Sequence, residues 1–123
     1  EMIAEMKCSM AVVSGSTRND VETILEEAFG KSKFDAIITA DDIKKGKPDP
    51  AAFLEALRRM KIRPENAAVV ENAPLGVKAA NSAGIGCYVA LNNTPLARSD
   101  FGGMIPQDRI FEKTGMLKKV LCR

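Results

Sequence analysis

Glu71 and Asn72 follow the apolar run Ala67-Ala68-Val69-Val70 and together offer a carboxylate and an amide oxygen. That pair suits a hard cation such as Mg²⁺, which takes one or two protein oxygens and completes its shell with water and phosphate. Two other clusters carry complementary chemistry. Ser14-Gly15-Ser16 presents hydroxyls and backbone N–H groups, the donors an anion needs ahead of a helix N-terminus. Lys47 lies between Gly46 and Pro48, which constrain its backbone on both sides, so it can act as a fixed point charge on a phosphate. Each cluster also has a plainer reading. Glu71 can cap the following helix, and Ser14 and Ser16 can be turn and cap residues. Lys44 and Lys45 read as solvated charges.

The elements that would position these groups follow from the hydrophobic pattern. Residues 1–8 read as the last turns of a helix, Ser9 to Val13 as a short strand, and Ser14 to Thr17 as a loop. Val21, Ile24, Leu25, Ala28 and Phe29 recur at helical spacing, with Asn19 as N-cap, Glu22 completing a capping box and Gly30 as the stop. Phe34 to Thr39 form a second strand and residues 40–47 a polar loop. Asp49 then caps a helix with Pro50 at its first position and Phe53, Leu54, Leu57 and Met60 on its buried face. Residues 67–70 read as a strand buried on both faces, and Leu75 to Ser82 as a helix stopped at Gly84. Gly86 to Leu91 give a fourth strand. Asn93 or Thr94 caps a short helix, 99–108 is a loop, 109–112 an edge strand and 116–121 a terminal helix. Strands and helices alternate throughout, which predicts a single three-layer α/β domain, Rossmann-like, with a mainly parallel sheet.

Composition narrows the possibilities. The 123 residues suffice for one compact core. A net charge of +2, one Tyr, no Trp and no basic stripe interleaved with aromatics leave little for nucleic acid to stack on. No apolar run approaches the ~20 residues of a membrane span. Three cysteines, Cys8, Cys87 and Cys122, are odd in number and far apart, which excludes a CxxC zinc site and points to reduced thiols in the cytoplasm. The absence of His rules out His-based catalysis. Glu1 is not an initiator residue, so a fragment or processed product is expected.

In a parallel sheet all strand C-termini share one edge, so the hydroxyl loop, the lysine and the oxygen pair should converge there. Hydroxyl and N–H donors, a fixed positive charge and a cation site are the parts of phosphoryl transfer. The ordered set Val12-Val13-Ser14-Gly15-Ser16, Gly46-Lys47-Pro48-Asp49-Pro50 and Val70-Glu71-Asn72-Ala73-Pro74-Leu75-Gly76-Val77-Lys78-Ala79-Ala80, closed by Ala83-Gly84, resembles the haloacid dehalogenase superfamily over residues 9–91. Its nearest branch is that of the β-phosphoglucomutases and phosphoglycolate phosphatases. The resemblance implies a Mg²⁺-dependent phosphatase or phosphomutase core acting on a small phosphorylated metabolite. It makes Ser14 and the Gly15 N–H, with Ser16, phosphate-binding. It makes Lys47 the lysine that neutralises phosphate and orients the nucleophile, and Glu71 and Asn72 the metal ligands. Asp41 and Asp42 match a loop that precedes the lysine and are assigned no chemistry.

Two departures from the family stand out. Asn72 occupies a position where aspartate is common, so the cation site should be weaker. No strand ending in Asp-x-Asp is present; Asp20-Val21-Glu22-Thr23 lies inside an amphipathic helix and is rejected. The nucleophile strand and the substrate-selecting cap would therefore lie upstream of Glu1. In the family that strand sits between those carrying Ser14 and Glu71, so its absence predicts two unpaired edges beside an apolar gap. An upstream segment or another chain would fill it, or the sheet would rearrange. The chain alone is expected to turn over little substrate. The alternative is a non-catalytic phosphate-binding or oligomerising module. A receiver-type signalling domain is disfavoured because Ser14 and Thr39, not aspartate, end the first two strands.

Overall fold

The computed structural model describes residues 5–30 and 33–121. Two parallel sheets form. In the first, β1 (Ala11–Val13) pairs with β2 (Ala36–Ile38), with Ala11 opposite Ala36 and Val13 opposite Ile38. In the second, β4 (Gly86–Ala90) lies between β3 (Ala68–Glu71) and β5 (Ile110–Phe111). The α/β class and the parallel pairing are as expected from sequence. The helices are α1 (Arg18–Phe29), α2 (Ala51–Met60), α3 (Pro74–Ser82) and α4 (Lys118–Leu121). Helix α2 packs on β1 and β2, α3 packs on β3 and β4, and the two helices touch.

The main core joins α2 to the second sheet. Phe53 and Leu57 from α2 pack with Val69, Val77, Ala80, Val89 and Phe101. A smaller cluster of Ile38, Ala52 and Ala56 lies under the first sheet, and Val13 contacts both. The two sheets are thus held together through a helix and not through a strand ladder. Among the described residues β1 has only β2 as a neighbour and β3 has only β4. Between them runs a cleft of about 780 Å³, lined by Ala11, Val12, Val13, Val69 and Val70 among other residues, most of them apolar.

This cleft accounts for several departures from the hydrophobic pattern. The apolar stripe of α1 is only partly covered: Val21 is buried, but Phe29, which lines the cleft, is 42% exposed, and Ile24, which does not line it, is 63% exposed. Strand β3 is not buried on both faces; Val69 is buried, whereas Ala68 and Val70 are exposed. A stripe or strand reads as buried from sequence, but burial needs an element on the other side.

Other differences are local. The N-cap of α1 is Thr17, not Asn19; its hydroxyl accepts from the Asp20 N–H at 3.3 Å. Gly30 ends that helix with φ 80°, as expected. In α2 the buried positions are Ala52, Phe53, Ala56 and Leu57, and Leu54 is exposed. The small alanines lie against the sheet and let the helix approach it closely. The helix begins one residue after Pro50, with the Asp49 carboxylate accepting from the Ala51 N–H at 2.9 Å. Residues 99–108 are not merely a surface loop: Phe101 and Ile105 are buried, on either side of a Gly102-Gly103 turn. Neither Asn93 nor Thr94 caps a helix there; a 3₁₀ turn runs over Arg98–Phe101, and the Asp100 carboxylate accepts from the Ala97 N–H. The C-terminal segment is a 3₁₀ turn, Thr114–Leu117, followed by α4, with Leu117 fully buried. The expected helix over residues 1–8 falls partly outside the described residues.

Candidate active site

Strand β1 ends at Val13, and the chain turns at once. The Ser14 N–H continues the ladder by donating to the Ile38 carbonyl at 2.9 Å. The Ser14 hydroxyl oxygen accepts from the Ser16 N–H at 3.1 Å, a serine turn of the kind that reverses a chain after a strand. Gly15, at its apex, is exposed, and its N–H has no hydrogen-bond partner among the described residues.

Strand β2 ends at Ile38; the next residue, Thr39, is fully buried and opens a 3₁₀ turn, Ala40–Asp42. Asp42 is the anchor of this turn. Its Oδ2 accepts from the Thr39 N–H at 2.8 Å, the Thr39 hydroxyl at 3.0 Å and Arg18 Nη2 at 2.6 Å, while Oδ1 accepts from Arg59 Nη2 at 3.2 Å. These donors, the Thr39 backbone first, hold the Asp42 carboxyl far below the usual carboxylate range. Asp41 accepts from the Arg18 N–H at 2.8 Å. Asp41 therefore ties α1, and Asp42 both α1 and α2, to the loop that leads to Lys47.

Lys47 reaches across to the second sheet. Its Nζ lies 2.6 Å from Glu71 Oε1 and 5.3 Å from the centroid of the Phe53 ring. Both side chains are largely shielded, Glu71 10% exposed and Lys47 23%. Such partial burial makes a lysine–carboxylate pair stronger than a surface one. Glu71 Oε2 accepts from the Asn72 N–H at 3.2 Å. These two partners lie outside α3, so the helix-capping reading of Glu71 has no hydrogen bond to support it.

Ser14, Gly15, Lys47, Glu71 and Asn72 line one open cavity of about 420 Å³, together with Val13, Val70, Ala90, Asn92 and Thr114. The three sequence clusters thus meet at one rim. Ser16 does not line the cavity; its N–H is turned back onto Ser14 and its carbonyl accepts from the Ala40 N–H. Asn92 and Thr114 line the cavity without having been expected there. The Asn92 amide oxygen accepts from the Thr114 N–H at 3.0 Å, and its Nδ2 donates to the Thr114 hydroxyl at 3.0 Å. Asn92 has φ 50°, a left-handed value that asparagine tolerates better than most residues. Its place just after the fourth strand was the available signal; Thr114 comes from a segment that only tertiary packing brings near.

Among the described residues no three His, Cys, Asp or Glu side chains gather as a metal site. Glu71 and Asn72 are two oxygen donors at the cavity, which fits a cation that keeps most of its water and takes further oxygens from a ligand. Nearby, Cys87 is buried, and burial, with the Glu71 charge second, pushes its thiol up to about 12. It is a packed core side chain.

A family model of the haloacid dehalogenase-like hydrolases matches residues 1–90. The chain belongs to this family. It is 37% identical over 92 residues to the validoxylamine A 7′-phosphate phosphatase of Streptomyces hygroscopicus subsp. limoneus, covering 75% of this chain and 43% of that protein. It is 38% identical over 76 residues to the fructose-1-phosphate phosphatase YqaB of Escherichia coli, covering 62% of this chain and 40% of that one. The solved structure of CbbY from Rhodobacter sphaeroides in complex with phosphate superposes with a TM-score of 0.82 at 29% identity, over 94% of this chain and 52% of that chain. β-Phosphoglucomutase-like structures share the same fold. The chain spans less than half the length of either phosphatase and about half of CbbY.

Proposed function

We propose that this chain supplies the phosphate-binding and charge-neutralising part of a Mg²⁺-dependent phosphatase or phosphomutase acting on a small phosphorylated metabolite. The observation that carries this reading is the convergence of Ser14, Gly15, Lys47, Glu71 and Asn72 on one cavity from three separate segments. The phosphatase relatives agree with it.

The geometry supports the following roles. The Gly15 N–H and the Ser14 hydroxyl donate to oxygens of the bound phosphoryl group. Lys47, held against Phe53, places a positive charge beside that group and offsets the charge that develops on its oxygens. Glu71 fixes the lysine and, with Asn72, would hold Mg²⁺. When bound, the ion would add a second positive charge against the phosphoryl oxygens. Asn72 contributes an amide in place of a carboxylate, so the site carries one negative charge fewer.

The nucleophile of the parent reaction is an aspartate that attacks phosphorus, breaks the bond to the substrate oxygen so that the alcohol leaves, and forms an aspartyl phosphate; water or a second substrate hydroxyl then takes the phosphoryl group and frees the aspartate. The cleft between β1 and β3 is the place for the strand that bears it. The cleft and the cavity share Val13, Val70, Glu71 and Thr114, so a strand seated there would end among the phosphate-binding groups. Either an upstream segment of the same protein or another chain could provide that strand. The two open strand edges also favour a second reading, in which the chain is a non-catalytic module that associates through them.

Titrating the chain with inorganic phosphate and Mg²⁺, followed by calorimetry, separates these readings. Binding that falls at least tenfold in Lys47→Ala is expected. With a generic aryl phosphate the chain alone should show no significant turnover. Robust turnover that survives Lys47→Ala would overturn the assignment. An oligomer that binds no phosphate would favour the second reading.

A further inference from the structure

Gly76 is the third residue of α3, buried, in ordinary helical conformation. Its backbone has no need of glycine, since its φ is not positive. A helix favours alanine over glycine, so glycine here calls for a cause outside the helix. The cause is visible in what a side chain would meet. A Cβ at position 76 would lie within 3.0 Å of the Glu71 Cδ, Oε1 and Oε2 atoms, and these are its three nearest neighbours. The Glu71 carboxylate therefore occupies the volume that any other residue at 76 would fill.

We infer that Gly76 is a positioning residue: the absence of its side chain is the seat that holds the Glu71 carboxylate against Lys47. The atoms that would clash are the end of a flexible side chain, not backbone. An alanine at 76 is accommodated by turning Glu71 away while the helix and the sheet persist. What goes is the 2.6 Å pair with Lys47, and with it the placement of both groups at the cavity. The bearing of this on phosphoryl transfer rests on the function proposed above. The seating itself does not.

The test is a thermal-unfolding cycle on the chain with Gly76→Ala, Glu71→Ala and the double variant. Gly76→Ala should lower the melting temperature, or fail to raise it, when Glu71 is present. In the Glu71→Ala background the same change should raise it by a few degrees, as at an unobstructed helix site. Equal shifts in the two backgrounds would sink the idea. A second readout isolates position from stability. The Lys47 ammonium resonance, followed by nitrogen NMR, should move in Gly76→Ala to where it stands in Glu71→Ala, with the amide spectrum of the fold retained. A Lys47 resonance unchanged in Gly76→Ala overturns the inference even if stability falls. Phosphate titration of the same variants keeps the two proposals apart. If the parent chain binds no phosphate but the cycle shows the coupling, the seat stands and the functional reading fails. If phosphate binds and no coupling is found, the seat alone is lost.

Discussion

Removing the Lys47 ammonium leaves the Glu71 carboxylate 10% exposed and without its charged partner. Lys47→Ala should therefore destabilise the chain by roughly 1–3 kcal/mol, measurable by urea denaturation, in addition to its effect on phosphate. Lys47→Arg should not restore phosphate binding, because a planar guanidinium cannot occupy the pocket between Phe53 and Glu71 as a compact ammonium does. At Ser14 the hydroxyl oxygen already serves the turn, so Ser14→Ala removes a turn acceptor as well as a cavity donor. The thiols give a simpler check. Cys8 is exposed and Cys87 is buried with its thiol raised to about 12, so a maleimide should label Cys8 quickly and Cys87 only on unfolding. Mass spectrometry of the labelled peptides reads this directly.

The loop from β2 to α2 is held by a charged network beside the packing of Ile43 on the small core cluster. Asp42 joins Thr39, Arg18 and Arg59, and the half-buried Glu55 pairs with Arg58 and Arg59, which lowers its carboxyl to about 2. Both carboxyl groups titrate lower in the folded than in the unfolded chain. The unfolded state then binds more protons in acid, so their stabilisation is present above the ordinary carboxylate range near pH 4 and is lost as pH falls through the folded values. The melting temperature should begin to drop below about pH 5 and go on falling down to about pH 2. In Asp42→Asn that acid-dependent drop should be smaller, from a starting stability at pH 7 lower by roughly 1–3 kcal/mol. In α2, Leu57→Ala should cost about 2–4 kcal/mol and Leu54→Ala well under 1, since only Leu57 is buried. The sequence pattern offered both leucines as core, because a stripe of apolar residues at helical spacing is wider than the face a sheet covers.

Across the whole molecule the dominant feature is a sheet in two pieces. Among the described residues, open edges at β1 and β3 beside exposed Val70 and Phe29 form a template for another strand. The chain alone should bind a hydrophobic dye and self-associate with rising concentration. Val70→Lys, which puts a charge at the cleft, should shift light scattering toward the monomer with little loss of stability, because Val70 is exposed already.

The order of strands and helices, the parallel class and the three polar clusters were legible along the chain. Each depends on local rules: β-branched runs, glycine and proline stops, and polar residues at strand ends. The expected gap between the strands carrying Ser14 and Glu71 was legible too, through the family's strand order. What the polymer sequence left open is whatever depends on the far side of a contact. Thr17 rather than Asn19 caps α1, since the choice between neighbouring cap residues is set by where the helix docks. Ser16 turns back from the cavity because its N–H is taken by Ser14. Asn92 and Thr114 meet across 22 residues to wall the cavity, and Gly76 yields its side-chain space to Glu71. Chemistry was written in residue types and spacing; which groups touch was decided by packing, because a side chain's neighbours come from elsewhere in the chain.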